Sequence, residues 1–281
     1  SGAAIGVITI AGEISDGQAG PGEAGAERIG KLLDDALDDD LKALVVRVDS
    51  PGGTVTGSEA IRRAILRHKA NDIPVVVSMG NVAASGGYWV STPAERIFAE
   101  PETVTGSIGI FGVVPTFENL LAEWGVTTDG VKTTALSGQP DLLAGFNPEI
   151  EAVLQATVES GYERFLALVA QSRKMSRERA DELGQGRVWD GGAARQLGLV
   201  DQFGGLDAAL TYAAERAGLE EGQWHARYLG ADEDPYAPLL RRIWRTEEDT
   251  AGGDMFALFA RREKALTRRV LADLGGLLEV R

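Results

Sequence analysis

The chain has 281 residues, of which 44% are hydrophobic and 25% charged, so it is long enough to bury a sizeable core. Its net charge of −14 excludes general binding to nucleic-acid backbones, and the absence of cysteine excludes disulfides, thiolate nucleophiles and cysteine-ligated metals. The two histidines, His68 and His225, lie far apart in the chain, which argues against a histidine-rich metal site. Catalytic chemistry is therefore restricted to the side chains of serine, lysine, aspartate and glutamate.

The N-terminal part of the chain alternates between short apolar runs and helical patterns. Strands are predicted at residues 5–10, 43–48, 74–78 and 96–99, and helices at residues 23–38, 57–69 and 84–91. The uncharged stretch 103–117 is predicted to be extended, with turns at its glycines. Strands separated by helices indicate parallel β-α-β units and a sheet that is buried on both faces.

The C-terminal part is mostly helical after a predicted strand-rich stretch at residues 126–135. The predicted elements are helices at 149–172, 176–183, 190–197 and 206–217, followed by a last strand at 223–229. The acidic segment 232–235 indicates a boundary between a domain of residues 1–230 and a helical tail of residues 231–281. Apolar residues at helical spacing in the tail predict a packing or oligomerisation helix, with a membrane-surface helix as the alternative.

Three glycine-rich segments each follow a predicted strand. They are DSPGG (49–53), AASGG (83–87) and TGSIG (105–109). The carboxyl ends of parallel strands meet at one edge of a sheet, where ligands bind. Consecutive glycines leave backbone N–H groups unshielded, as an oxyanion hole requires, and Ser85 precedes a short helix whose N-terminus favours developing negative charge. Each segment alone would be typical of a turn, but the three together predict an acyl-transfer site.

Other nucleophile and cofactor motifs are missing from the sequence. A G-x-S-x-G elbow is excluded because Ala83 stands where its first glycine would be, and neither a dinucleotide-binding nor a P-loop pattern occurs. His225 lies in a predicted strand and is interpreted as a structural or surface residue, and His68 as a partner of a helix C-terminus. Without a histidine base, Ser85 would need a lysine that has been desolvated enough to lose its proton.

Longer strings around these segments resemble one protein family. DSPGG, NVAASGGYW (81–89), PETVTGSIGIFG (101–112) and GRVWDGGAARQLGLVDQFGG (186–205) closely resemble the bacterial signal peptide peptidase A family of serine proteases. The resemblance covers roughly residues 4–218. It implies an α/β Clp-protease/crotonase-like fold of repeated β-β-α units, with a helical C-terminal extension.

The resemblance also implies roles for individual residues. Ser85 would be the nucleophile, and the N–H groups of Gly86 and of either Gly52 or Gly53 would form the oxyanion hole. Ser107 would hydrogen-bond to the general-base lysine. The extended segment 106–112 would pair with the substrate as an added strand, with substrate-binding residues Gly106, Ile108, Gly109 and Ile110. No metal or other cofactor is expected.

The family's catalytic lysine has no match in this sequence. Short members carry it in the loop after the strand at 126–131, at a position that is Ser137 here when the spacing from Ser85 is kept without gaps. Long members consist of two homologous halves, with the serine in the C-terminal half and the lysine in the N-terminal half. The chain resembles the C-terminal half, so we expect the lysine and the membrane anchor to lie in an N-terminal half. Lys132 is a fallback base, and its alternative interpretation is an exposed loop lysine.

Three functions compete at this point. The resemblance implies a serine endopeptidase that degrades cleaved signal-peptide fragments at the periplasmic face of the bacterial inner membrane, as a homo-oligomer for which a tetramer is expected. The alternatives are a non-catalytic scaffold or peptide-binding subunit, and a crotonase-type acyl-CoA enzyme. The missing lysine favours the scaffold, whereas the intact Ser85, Ser107 and glycines favour the peptidase. Crotonase chemistry does not explain a serine followed by two glycines.

Overall fold

The computed structural model describes residues 2–19 and 22–230. Within this range the chain forms two compact units, one made of residues up to 109 together with those from 162 onward, and one made of residues 110–161. The predicted tail, residues 231–281, lies outside the described residues.

Ten strands and eight α-helices make up the described chain. The strands are β1 (Ala3–Ala11), β2 (Glu13–Ser15), β3 (Glu23–Gly25), β4 (Ala43–Ser50), β5 (Val75–Ala84), β6 (Arg96–Ala99), β7 (Val104–Gly106), β8 (Val188–Asp190), β9 (Gln202–Phe203) and β10 (Trp224–Tyr228). The helices are α1 (Ala26–Asp35), α2 (Val55–Ala70), α3 (Gly86–Ser91), α4 (Glu118–Glu123), α5 (Pro148–Arg173), α6 (Arg177–Leu183), α7 (Gly191–Gln196) and α8 (Leu206–Arg216), with a short 3-10 turn at Ala36–Asp38.

The first unit is built on a parallel sheet. Its strand order is β10-β1-β4-β5-β6-β9, and every neighbouring pair along this path is parallel. Strand β7 pairs in parallel with the end of β5, and β8 pairs antiparallel with β7. Strands β2 and β3 form a separate parallel pair. The β-α-β organisation predicted from the sequence is therefore confirmed.

The core lies on both faces of this sheet. The central strand β4 is a nearly unbroken apolar run whose residues Ala43, Leu44, Val45 and Val46 are fully buried. On one face α8 contributes Leu210 and its neighbours to a cluster with strand residues. A continuous apolar run, without the alternation of a half-exposed strand, is what a parallel sheet covered on both faces requires.

Two predicted elements differ from the structure. The helix predicted at 23–38 begins only at Ala26, because Glu23–Gly25 is extended and pairs with β2. The predicted strand at 126–135 is absent from the structure. Its residues form turns and irregular backbone, and Val131 is fully exposed. A β-branched run becomes a strand only where it finds a partner edge and a face to bury, and this run has neither.

The predicted strand at 74–78 continues to Ala84. Gly80 and Asn81 have the composition of a turn, yet they stay within β5, and its last residues Val82–Ala84 pair with β7. The register between β4 and β5 shifts at this point, which accommodates the irregularity. As a result, β5 ends at Ala84, the residue directly before Ser85.

The second unit contains α4, the beginning of α5 and a long connection between them. Asn147 ties the connection to the helix, since its side chain donates to the carbonyl of Ala135 and accepts from the N–H of Ile150 at 2.9 Å. The N–H of Phe117 donates to the carbonyl of Leu142 at 2.7 Å. These bonds stabilise a segment that has little regular structure.

His68 lies in the last turn of α2, as the sequence predicts, and its side chain is part of the core. It is fully buried, and its Nε2 lies 2.8 Å from the carbonyl oxygen of Leu33. Burial lowers the pKa of His68 below its ordinary value, against smaller opposing effects of the Leu33 carbonyl and the Asp34 carboxylate. His68 therefore binds a proton less readily in the folded chain than in the unfolded chain.

This burial predicts a pH-dependent stability. Between the ordinary histidine pKa of about 6.5 and the lowered folded value, the unfolded state binds more protons, so the free energy of unfolding should fall as pH falls. One proton limits the slope to about 1.4 kcal/mol per pH unit. Urea unfolding between about pH 7.5 and about pH 5.5 measures it. His68→Gln should flatten this slope, and His225→Gln, at an exposed position in β10, should not. Equal slopes in wild type and His68→Gln would contradict the prediction.

Candidate functional site

Ser85 occupies a strained turn between β5 and α3. It is the residue before the first turn of α3 and has φ 51° and ψ −117°. Its N–H donates to the carbonyl of Gly106 at 2.9 Å, and its carbonyl accepts from the N–H groups of Tyr88 and Trp89. A non-glycine residue in such a conformation costs roughly 1–3 kcal/mol and is found preferentially at functional sites. The strain at Ser85 thus marks this turn independently of the sequence motif.

The glycine loop after β4 packs directly against this turn. Gly52 has φ 102°, and a Cβ built on it would lie 2.6 Å from the Gly86 nitrogen and 2.8 Å from the Ser85 Cβ. A Cβ on Gly86 would lie 3.1 Å from the Gly52 Cα and 3.2 Å from the Gly53 nitrogen. The two backbone segments can approach this closely only because both lack side chains.

Hydrogen bonds around the glycine loop determine which N–H group remains available. The Gly52 N–H donates to Ser50 Oγ at 3.1 Å. Ile14 bridges the loop from the other side, since its N–H donates to the Gly52 carbonyl and its carbonyl accepts from the Thr54 N–H. In such a parallel bridge the intervening residue, Gly53, directs its own N–H away from Ile14. Gly53 is therefore the donor that the loop offers.

Gly86 supplies a second N–H beside that of Gly53. It is the first residue of α3, where backbone N–H groups have no intrahelical acceptor. Two N–H donors on adjacent backbone segments, next to a serine, form the arrangement that stabilises a tetrahedral oxyanion. The structure thus brings Ser85, Gly86 and Gly53 together, as the sequence predicts, and distinguishes Gly53 from Gly52.

Strand β7 places Ser107 alongside Ser85. Ala84 and Gly106 are paired in the β5–β7 register, so Ser85 and Ser107 are the next residues on the two neighbouring strands. The Ser107 N–H donates to the Arg187 carbonyl at 2.7 Å, and Ser107 has a positive φ of 50°. Ser107 directly follows β7, which ends at Gly106, so it lies at the end of the sheet next to Ser85.

The segment predicted to pair with substrate is extended only in part. Regular strand ends at Gly106, and Ile108 is fully buried, with its carbonyl accepting from the Gly186 N–H at 2.9 Å. The side chain of Ile108 therefore belongs to the core, and its role in binding substrate through the main chain stays a prediction. Gly109 is partly exposed in the first unit, whereas Ile110 begins the second unit and packs near Gly161.

Lys132 and Ser137 belong to the second unit. Lys132 is exposed, and a lysine becomes a base near neutral pH only when burial or a neighbouring charge favours its neutral form. Ser137 is half-buried, and its Oγ accepts from the Thr134 N–H at 3.0 Å. The exposure of Lys132 fits the alternative interpretation of a loop lysine.

Residues 2–19 and 22–230, the part of the chain that the structure describes, contain neither a metal cluster nor a membrane-spanning helix. In this range no group of three or more histidine, aspartate and glutamate side chains is placed to hold a metal ion. None of the helices described there is long and apolar enough to span a bilayer.

Gly52→Ala should disturb the site more than the fold. The added Cβ would press on the Gly86 nitrogen and on Ser85, and positive φ disfavours alanine by roughly 1–2 kcal/mol. If this is the acyl-transfer site that the sequence predicts, kcat should fall by about 10²–10³, because displacing the Gly86 N–H would have the usual effect of losing an oxyanion-hole donor.

The matched control for Gly52→Ala is Gly30→Ala. Gly30 lies within α1, with no atom within 4 Å of a built Cβ, so alanine there should raise helix stability by up to about 1 kcal/mol without affecting kcat. Fluorogenic peptide assays and thermal unfolding measure both quantities. If Gly52→Ala lowered the melting temperature while kcat stayed unchanged, Gly52 would be a structural turn glycine.

Comparisons with known proteins identify the family of the chain. Residues 67–220 match the model of the family described as Peptidase family S49. Protease 4 of Salmonella typhi is 48% identical over 229 residues, which cover 81% of this chain and 37% of that protein. The chloroplastic serine protease SPPA of Arabidopsis thaliana is 36% identical over 183 residues, which cover 63% of this chain and 26% of that protein. The chain thus spans about a third or less of the length of these relatives.

One solved structure supports the fold. A ClpP1 mutant from Listeria monocytogenes superposes with a TM-score of 0.50, over 73% of this chain and 94% of that chain, at 19% sequence identity. At this identity the likeness concerns the fold alone. The Clp-protease-like α/β fold predicted from the sequence is confirmed.

Proposed function

Because the chain belongs to peptidase family S49, we propose that it carries the nucleophile of a serine endopeptidase, and that this nucleophile is Ser85. The observation that carries the proposal is the strained Ser85 turn beside the N–H groups of Gly53 and Gly86. A serine with two adjacent backbone donors is equipped for acyl transfer.

The proposed reaction proceeds through an acyl-enzyme. A base removes the proton of Ser85 Oγ, which attacks the carbonyl carbon of the scissile peptide bond. The resulting oxyanion accepts hydrogen bonds from Gly53 and Gly86, whose positions are fixed by the glycine contacts before substrate arrives. Collapse of the intermediate breaks the C–N bond, the amine leaves with the proton from the base, and water then hydrolyses the ester.

We assign the base to a lysine outside this chain. Lys132 is exposed, and the two histidines are either buried against Leu33 or exposed in β10. A homologous N-terminal half would supply the lysine, as the resemblance to long family members implies. Ser107, next to Ser85 in the β5–β7 register, would then orient that lysine by a hydrogen bond.

The proposed substrates are signal-peptide fragments in extended conformation. An extended peptide can add to a sheet edge through main-chain hydrogen bonds, and residues after β7 lie beside the nucleophile. The resemblance further supports a homotetramer at the periplasmic face of the bacterial inner membrane. The proposed chemistry needs no cofactor.

A non-catalytic peptide-binding subunit is the second candidate function, favoured by the exposure of Lys132. Fluorophosphonate labelling separates the two functions, since this probe reacts with an activated serine. Assembled with its N-terminal half, the chain should be labelled, and mass spectrometry should locate the label on Ser85. Peptide binding without any label on Ser85 would favour the scaffold, and acyl-CoA turnover would favour the crotonase alternative.

A further inference from the structure

Glu59 on α2 is a nearly buried carboxylate bound by four side chains. Its side chain is 11% exposed. Oε2 accepts from Arg62 Nε at 2.7 Å and from Trp89 Nε1 at 2.9 Å. Oε1 accepts from Arg62 Nη2 at 3.1 Å, from Arg63 Nε at 2.9 Å and from Arg164 Nη2 at 2.6 Å. The proposed reaction does not use this carboxylate directly.

The carboxylate of Glu59 remains ionised at neutral pH. Burial alone would raise its pKa, but the hydrogen bonds from Arg62, Trp89 and Arg63 together outweigh burial and lower the pKa to about 2. Hydrogen bonds to an ionised acceptor are roughly twice as strong as neutral ones. The bond from Trp89 is therefore a firm connection between α2 and α3.

Each of these two helices begins at or just after one of the proposed oxyanion-hole donors, Gly53 before α2 and Gly86 in α3. Thr54, which caps α2 by accepting from the Gly57 N–H, directly follows Gly53. Helix α3 begins at Gly86. Glu59 and Trp89 lie about one turn further along their helices, so their hydrogen bond joins α2 and α3 close to both donors.

Trp89 is buried, and its indole N–H uses the Glu59 carboxylate as its hydrogen-bond acceptor. The ring is 1% exposed and packs against Phe165 of α5, with centroids 4.8 Å apart. A buried indole N–H without an acceptor would cost about 1–3 kcal/mol. Ser58, next to Glu59 on α2, lies very near Gly86 of α3. A Cβ built on Gly86 would collide with the Ser58 hydroxyl. Any shift of α3 relative to α2 would thus be transmitted to Gly86.

We infer that Glu59 is a positioning residue for the oxyanion hole. By holding Trp89, it fixes α3 against α2 and keeps the Gly86 N–H at the correct separation from the Gly53 N–H. This inference rests on the proposed function of Ser85, and it assigns Glu59 no contact with the substrate.

Two substitutions act on the Glu59–Trp89 bond from opposite ends, one by weakening its acceptor and one by removing its donor. Glu59→Gln keeps the shape of the side chain and removes its charge, whereas Trp89→Phe keeps an aromatic ring near Phe165 and removes the N–H donor. Displaced donors stabilise the transition state less, while contacts to the rest of a substrate stay intact. Each variant should therefore lower the maximal rate at which a fluorophosphonate reacts with Ser85 and leave the half-saturating probe concentration unchanged.

The experiment measures phosphonylation of Ser85 by a peptidyl fluorophosphonate, in which the serine oxygen displaces fluoride from phosphorus, in the protein assembled with its N-terminal half. We expect each single variant to lower the maximal rate by roughly tenfold to a hundredfold. The double variant should be no slower than the slower single variant, because both substitutions act on the oxyanion hole through the same bond. Asp201→Asn is the matched control, since Asp201 binds Arg173 and the Ile97 N–H, outside the α2–α3 contact. It should lower the melting temperature without changing the maximal rate.

The outcomes separate this inference from the proposed function. Labelling that requires Ser85 but proceeds at the wild-type maximal rate in Trp89→Phe would overturn the inference alone, even if Glu59→Gln failed to fold. Additive losses in the double variant, or a rise in the half-saturating concentration alone, would also overturn it. Labelling that persists in Ser85→Ala would overturn the proposed function and, with it, the inference.

Discussion

Replacing Ser85 with alanine is expected to lower peptide hydrolysis by the assembled enzyme at least about 10³-fold, because the covalent route needs the serine hydroxyl. The fold should remain intact. Ser85 makes no side-chain capping bond to α3, and its N–H bond to Gly106 belongs to the backbone. The value of kcat/KM for a fluorogenic peptide and the melting temperature together measure this prediction.

Ser91→Ala provides a matched control on the same helix. The Ser91 hydroxyl donates to the Gly87 carbonyl at 2.7 Å, one turn back along α3. Its loss should reduce stability by about 1 kcal/mol and leave kcat/KM nearly unchanged. If Ser85→Ala retained activity within about tenfold of wild type, Ser85 would not be the nucleophile.

The general location of the site could be predicted from the sequence because it depends on local patterns and one topological rule. Apolar runs ending in glycine-rich segments predicted parallel strands, and the ends of such strands meet at one edge. The structure confirms that Ser85, Gly86 and Ser107 lie on adjacent elements there. Their catalytic roles remain proposals.

The choice between Gly52 and Gly53 could not be predicted in this way. It depends on the bond from Gly52 to Ser50 Oγ and on the bridge to Ile14, which comes from β2. Strand β2 is three residues long, too short to give a periodic signal. Bridges between segments distant in sequence become visible only in the structure.

Glu59 was missed for a similar reason. In the sequence it precedes Arg62 and Arg63 at helical spacing, a pattern that is typical of solvated ion pairs on a helix surface. Its burial depends on Trp89 and Arg164, which come from helices later in the chain. Charge patterns alone cannot distinguish a surface pair from a buried carboxylate between helices.

The second large effect that we expect concerns the general base, which we assign to a lysine outside this chain. The isolated chain is expected to hydrolyse peptides at least about 10²-fold more slowly than the same chain assembled with a lysine-bearing N-terminal half, the usual contribution of a general base. A serine hydroxyl without a base is a weak nucleophile at neutral pH. Replacing the lysine of the added half with alanine should remove the gain, although the assembly still forms.

Two substitutions within the chain test whether it can supply its own base. Lys132→Ala should leave the activity of the assembled enzyme unchanged, because Lys132 is an exposed loop residue and the base is assigned to a lysine of another half. Ser137→Lys places a lysine at the position that the resemblance to short family members predicts, a half-buried one whose partial desolvation would favour the neutral amine. Peptide hydrolysis by each isolated chain, measured between about pH 6 and about pH 10, would show any such base as a rise in rate with pH. Full turnover by the unmodified isolated chain, lost in Lys132→Ala, would contradict a lysine from another half, because the base would then have to be Lys132.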